Sequence, residues 1–390
     1  MPETLRACRL PARVSPGGPA VSRRWPRRLV CGYTPPVTSA DAPVAASREA
    51  GGTLPGVPGG APVRRVRRES SRGLGRRDLL GLGLAGVAAA ALAGCATESV
   101  PVRRLRFATG PQGGPYHAFG RALAEAVARS GHRLDVVPVA TSASVDNLRR
   151  LDGGSVELAL AMADAAQDAL LGRAEFSHPV PVRALARVYV NYTHLVVPAH
   201  GPVRSVDALA RRPVATGAAA SGVHVIAGRL LRAAGLTGDR AVRERQLGLA
   251  ESVAALRAGT VDALLWSGGV PTPALSALAR TLPLRFLPLD GFVSALRERY
   301  GSVYTAVTLP AGAYGLREPV GTIGVGNYLT ARADVPEPAV RELLHVVFDR
   351  WRDLLRDVTA GARLEPRFAI STGRVPLHPG AVAYYRSVYG

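Results

Sequence analysis

From Leu105 to the C-terminus the chain alternates short apolar runs with segments whose apolar residues recur every three to four positions. That is the pattern of β-strands followed by amphipathic helices in an α/β protein. LRFATG reads as a strand, PQGGP as a loop and YHAFGRALAEAVARSG as a helix. Phe119, Leu123 and Val127 fall on one face of that helix, Arg121, Glu125 and Arg129 on the other, and Gly131 is placed to end it. LDVVPVA predicts the next strand and TSAS a loop. SVDNLRRL predicts a helix closed by Gly153 and Gly154, and VELALAM a third strand.

About 107 positions later the same phrases return in the same order. Ala108-Thr109-Gly110 recurs as Ala215-Thr216-Gly217, His117 is answered by His224 and Leu123 by Leu230. Ser144-Val145 with Leu148-Arg149 recurs as Ser252-Val253 with Leu256-Arg257. Gly154-Ser155-Val156-Glu157 is echoed by Gly259-Thr260-Val261-Asp262. Glycine-rich loops and leucine-spaced helices occur in all βα units, so chance accounts for single matches; three phrases in preserved order point to a duplicated, domain-sized module. Two similar lobes that face each other would line one cleft with strand C-termini and helix N-termini. Unpaired N–H groups and the partial positive charge of helix N-termini suit a carboxylate or phosphate. The chain is expected to cross between lobes near Val190 to Leu195 and near Thr322 to Val325, with closure about these hinges as the motion.

The most apolar stretch, RRDLLGLGLAGVAAAALAGC from Arg76 to Cys95, follows neither period. A membrane-spanning helix needs about 20 predominantly apolar residues, and Leu79 to Leu92 is shorter and thinned by glycine and alanine. A charged start, a short apolar centre and small residues before a cleavage point define an export signal. Leu92-Ala93-Gly94-Cys95 resembles the bacterial lipobox, which implies acylation of Cys95 by chains such as palmitate and anchoring at the outer face of the cell membrane. Gly75-Arg76-Arg77-Asp78-Leu79-Leu80 resembles the twin-arginine export signal. A short buried helix with an incidental cysteine is the plainer alternative. Residues 1–70, rich in Pro, Gly, Ala and Arg without apolar periodicity, read as a disordered extension or as sequence upstream of the true start, near Val63 or Val66. The expected division is therefore 1–70 extension, 71–95 signal, 96–193 first lobe, 194–321 second lobe and 322–390 return to the first lobe.

Cysteine usage agrees with export. Of Cys8, Cys31 and Cys95 only the last survives processing, so the mature domain forms no internal disulfide and no thiolate metal site. Of the 390 residues nearly 300 remain, enough to bury about three quarters of the unfolded surface and to divide into two domains. The net charge of +20 divides evenly, with 15 arginines against 5 acids up to Cys95 and 34 against 24 beyond it. The mature arginines are scattered, which argues against a nucleic-acid stripe and leaves anion attraction open.

Five phrases in order, TGPQGGPYHAFGRALAE, TSASVDNLRRLDGGSVELALAMAD, GAAASGVHVIAGRLL, VDALLWSGGVPTPAL and PLHPGAVAYY, resemble the TAXI family of solute receptors for TRAP transporters. The resemblance implies a two-lobed periplasmic-binding-protein fold of the second type and capture of a small organic anion or amino acid, glutamate-like or a dicarboxylate. It also implies delivery to the membrane permease of a TRAP transporter. Thr109, Gly113, Gly114 and Tyr116 match the family's first glycine-rich loop, where glycines let the backbone approach a ligand and Tyr116 walls the cleft; a plain strand-to-helix turn is the alternative. Ser142 and Ser144 supply hydroxyls that either cap the following helix or bind carboxylate oxygens, with Asp146 and Asn147 capping and orienting. The family places a glycine pair before that serine, and this chain does not.

Further departures touch the ligand. Ala163 stands where the family has a glutamine, and Asp164 is expected to cap the helix it opens. Ser221 and Gly222 match a loop that grips the ligand carboxylate, whereas Val223 replaces a threonine hydroxyl by a methyl and favours a less polar or smaller ligand. Trp266, with Gly268 after it, covers the ligand or packs between lobes. There is no Gly-x-Ser-x-Gly elbow, no His-Glu-x-x-His and no framed carboxylate pair, so the chain is expected not to be an enzyme; a secreted hydrolase is the remote alternative. No cofactor, metal or nucleic acid is expected, and the mature protein is expected to be a monomer. A receptor presenting solute to a sensor kinase is the nearer alternative.

Overall fold

The computed structural model describes residues 102–359 and 362–390. Arg76, Arg77, the lipobox-like cysteine Cys95 and the extension before them lie outside the described residues. No helix among the described residues is long and apolar enough to cross a membrane.

The first strand, β1 (Arg103–Ala108), lies between two parallel neighbours, β2 (Leu134–Val139) and β3 (Leu158–Met162). Every residue of β3 is buried, as expected of a strand covered on both faces. Helix α1 (Pro115–Arg129) joins β1 to β2. It starts with proline in its first turn, where the missing N–H costs nothing. The three-to-four spacing turns Tyr116, Phe119, Leu123, Ala126 and Val127 inward, and Phe119 meets Phe107 of β1 edge-on at 6.5 Å. Each such large side chain contributes about 1.5–3 kcal/mol by leaving water. Helix α2 (Ser144–Asp152) then leads to β3, and α3 (Ala163–Leu171) follows it.

The second half repeats this order. β5 (Pro213–Ala215) lies between parallel neighbours β6 (Arg243–Arg245) and β7 (Ala263–Gly268), joined through α4 (Gly222–Ala233) and α5 (Leu249–Arg257). The repeated phrases of the sequence are therefore two copies of one strand-helix-strand-helix-strand unit. This is the two-lobed α/β architecture expected from the sequence.

Two long strands tie the halves together. β4 (Val182–Pro198) and β10 (Val320–Arg332) run antiparallel to each other at the centre of a sheet ordered β2-β1-β3-β10-β4-β7-β5-β6. β10 flanks β3, and β4 flanks β7, so each half has an antiparallel strand beside its third parallel one. Two shorter strands, β8 (Leu284–Phe286) on β4 and β9 (Tyr304–Leu309) on β10, complete the set. β4 ends its pairing with β10 at Tyr192 and continues with β7 from the same residue. β10 leaves β9 at Val325 and takes up β3 at Asn327. The runs named from the sequence as crossings, Val190 to Leu195 and Thr322 to Val325, coincide with these changes of partner.

The C-terminal helices α8 (Glu337–Asp349) and α11 (Pro379–Tyr389) return to the first half. Leu343, Leu344, Val347, Tyr384 and Tyr385 join one apolar cluster with Leu105, Phe107 and Phe119, and the Tyr385 hydroxyl donates to Leu185 O at 2.9 Å.

Candidate ligand-binding cleft

Where the two halves face each other they enclose a cavity of about 70 Å³, the room of about five water molecules. Four helices point their first turns at it: Pro115 and Tyr116 of α1, Ser144 of α2, Gly222 and Val223 of α4, and Leu249 of α5 all line it. The backbone N–H groups of Tyr116, Gly222, Val223 and Leu249 have no acceptor among the described residues. Orphan first-turn donors combined with the helix dipole make such a place attractive to an anion.

Of the residues singled out in the sequence, Gly114, Tyr116, Ser142, Ser144, Ser221, Gly222, Val223 and Trp266 line this one cavity. Thr109 does not. It is buried, its hydroxyl donates to Val139 O at 2.9 Å, and its methyl fills the notch left by Gly120. Gly113 turns away with φ 76° into a neighbouring hollow, and Gly268 lies behind the indole of Trp266.

Several hydroxyls in the wall are already engaged. Tyr116 Oη donates to Asn327 Oδ1 at 2.5 Å and lies 3.4 Å from Ser144 Oγ, which accepts from Met162 N at 3.0 Å. Burial pushes the Tyr116 phenol well up, so it stays protonated and able to donate. Ser221 Oγ donates to Ala218 O at 2.6 Å and accepts from His224 N at 3.1 Å, capping α4. Trp266 Nε1 donates to Thr272 Oγ1 at 3.0 Å, which fixes the indole against the cavity. Asn147 is a buried staple rather than a cap: its Nδ2 donates to Thr109 O and Leu160 O, tying α2 to β1 and β3.

Sequence reasoning missed the floor. Asn191 on β4 and Ser267 on β7 both line the cavity and are 3 % exposed, yet Asn191 Oδ1 and Ser267 Oγ have no hydrogen-bond partner among the described residues. Unpartnered buried polar atoms are costly and mark a place where a ligand or ordered water belongs. The signal was present in VYVNYTHLVV, where an asparagine interrupts a strand that is otherwise almost wholly apolar or aromatic. Met162, Leu247, Leu249 and Leu265 supply the apolar remainder of the wall.

The halves touch directly around the cavity. The Ala220 carbonyl, presented by a residue with φ 56°, accepts from Val145 N and Asp146 N at 3.2 and 3.1 Å and so caps α2 from the opposite half. Deeper in, the expectation that Asp164 caps α3 gives way to a larger role. It does accept from Ala165 N at 2.9 Å, but its other oxygen accepts from Tyr304 Oη at 2.9 Å and lies 3.9 Å from Arg229 Nη1 on α4. Arg229 also donates to Tyr304 Oη at 2.8 Å and is paired with Asp168. Burial raises the Asp164 carboxyl, and the Arg229 charge opposes it. The network joins α3 of the first half to α4 of the second, and removing one member would leave the others charged and dry.

Solved structures show limited similarity to the chain. The aliphatic sulphonate binding protein SsuA from Escherichia coli is 17 % identical, with 73 % of this chain and 78 % of that one covered and a TM-score of 0.39. The alkanesulfonate-binding protein from Xanthomonas axonopodis pv. citri, solved with MOPS, is 18 % identical over 74 % of this chain and 92 % of that one, with a TM-score of 0.42. At such similarity neither bears on what this cavity holds. A profile of the NMT1-like family, in contrast, matches residues 107–388, which span both halves and every element that lines the cavity. The chain belongs to the NMT1-like family.

Proposed function

We propose that this protein is an extracytoplasmic solute receptor, lipid-anchored through Cys95, that captures a small organic anion or amino acid and delivers it to the permease of a TRAP-type transporter. Residues 96–193 and 322–390 form one lobe and 194–321 the other, and they close by rotation about the crossings in β4 and β10. The single observation that carries the reading is the cavity itself. It is built from both halves, ringed by helix N-termini and floored by Asn191 and Ser267 with unpartnered polar atoms. Polar atoms left without a protein partner on a cavity floor are suited to a ligand's hydrogen bonds. The uptake role and the lipid anchor rest on the sequence resemblance and on the lipobox-like Cys95.

Chemistry on the bound molecule is no part of the reading, because among the described residues the wall offers hydroxyls and an amide but no charged group to move a proton. Thermal unfolding of the full chain against organic acids and amino acids tests it. A ligand at a hundred times its dissociation constant adds about 2.7 kcal/mol of stability. Asn191→Ala is expected to reduce that gain, measured against the variant's own midpoint without ligand. Absence of any response across the whole set would overturn the proposal.

A further inference from the structure

The wall of the cavity contains no Arg, His, Asp or Glu among the described residues. That fact sorts ligands by charge. One carboxylate can be met by the orphan N–H groups of Tyr116, Gly222, Val223 and Leu249 and by the dipoles behind them. A second carboxylate would lie among Met162, Leu265 and Trp266, where nothing supplies a matching cation, and an unpaired buried charge is strongly unfavourable.

The same reasoning applies to an ammonium group. The unpartnered groups on the floor are Asn191 Oδ1, an acceptor, and the Ser267 hydroxyl, both neutral, while Asn191 Nδ2 donates to Ser267 O at 3.3 Å. A ligand hydroxyl can donate to Asn191 Oδ1 and accept from Ser267 Oγ without bringing a charge that nothing balances. Of the other serine hydroxyls in the wall, Ser144 is engaged with Met162 N, Ser221 with Ala218 O and Ser252 with Leu247 O, whereas Ser142 is exposed and makes no such bond among the described residues. A cavity of about 70 Å³ favours a small ligand over a long one.

We propose that the ligand is a short monocarboxylate bearing a neutral hydroxyl and an apolar tail, an α-hydroxy acid, with the carboxylate at the helix N-termini, the hydroxyl on Asn191 and Ser267, and the tail against Met162, Leu265 and Trp266. This rests on the solute-receptor reading and narrows it away from glutamate and dicarboxylates.

Calorimetric titration of the full chain with α-hydroxyisovalerate, L-valine, L-glutamate and succinate tests the assignment. The hydroxy acid is expected to bind tightest, with the others at least about tenfold weaker for carrying a charge the site does not balance. Asn191→Asp places a carboxylate on the floor and is expected to reverse the order of α-hydroxyisovalerate and L-valine. Glutamate or succinate binding as tightly as the hydroxy acid overturns this inference and leaves the receptor reading standing. If none of the four binds, and no other organic acid or amino acid does, both fall together. An Asn191→Asp protein that keeps the parent order removes Asn191 as the hydroxyl contact and overturns the placement.

Discussion

At the scale of single residues, the buried polar side chains divide into those that hold the protein together and those left waiting. Thr109 and Asn147 belong to the first kind, and the sequence could not separate them from ligand contacts because a hydroxyl or amide beside a helix start serves either purpose. The Asn191 amide oxygen and the Ser267 hydroxyl belong to the second; the sequence marks Asn191 as a polar residue in an apolar strand but not that its oxygen is left without a partner. His194, next along β4, carries a consequence for pH. It is fully buried against Phe286 and Tyr314, and burial holds its imidazole down at about 4 from the usual 6.5. A depressed histidine stabilises the fold above its unfolded value and loses that contribution as pH falls from 6.5 to about 4. The shift corresponds to about 3 kcal/mol across that window. Denaturant titrations at several pH values are expected to show His194→Gln with a shallower acid slope than the parent; equal slopes would contradict it.

At the scale of elements, helices and strands were legible because the apolar period is clean: α1 and α2 run over YHAFGRALAEAVARSG and SVDNLRRL, with α1 starting one residue earlier at Pro115 and ending at Arg129, two residues before Gly131. What the period does not encode is the conformation between elements. Ala143, just before α2, is held at φ 81° and ψ −147°, a region that belongs essentially to glycine. The chain therefore carries a methyl where its backbone path favours none. Releasing strain of about 1–3 kcal/mol against an unfolded-state cost of about 0.4–1 kcal/mol leaves a net gain near 1. Ala143→Gly is therefore expected to raise the thermal midpoint by about 2–4 °C in differential scanning calorimetry. A lower midpoint would show that the strain is absent.

For the molecule as a whole, the echo between residues near 108 and 215 predicted the duplicated strand-helix-strand-helix-strand units. The contacts made only when the halves meet were not legible, because they join residues with no relation in sequence. Gly222 is one. A Cβ built there would stand 2.6 Å from Met162 Sδ and 2.7 Å from Ser144 Oγ, both in the opposite half. Gly222→Ala is accordingly expected to hold the halves apart, weakening ligand affinity by about tenfold or more, or 1.4 kcal/mol, with little change in unliganded stability. Calorimetric titration beside thermal unfolding separates the two effects, and unchanged affinity would refute the close approach.

The sharing of β4 and β10 also orders events in time. The second half has its flanking strand, β4, in hand before its own βα unit is made. The first half must wait for β10, more than 150 residues after β3, before its sheet has its antiparallel neighbour. On a growing polypeptide the portion synthesised earliest is thus the one completed last. Until the ribosome has passed Arg332, one edge of β3 remains an open invitation to the wrong strand.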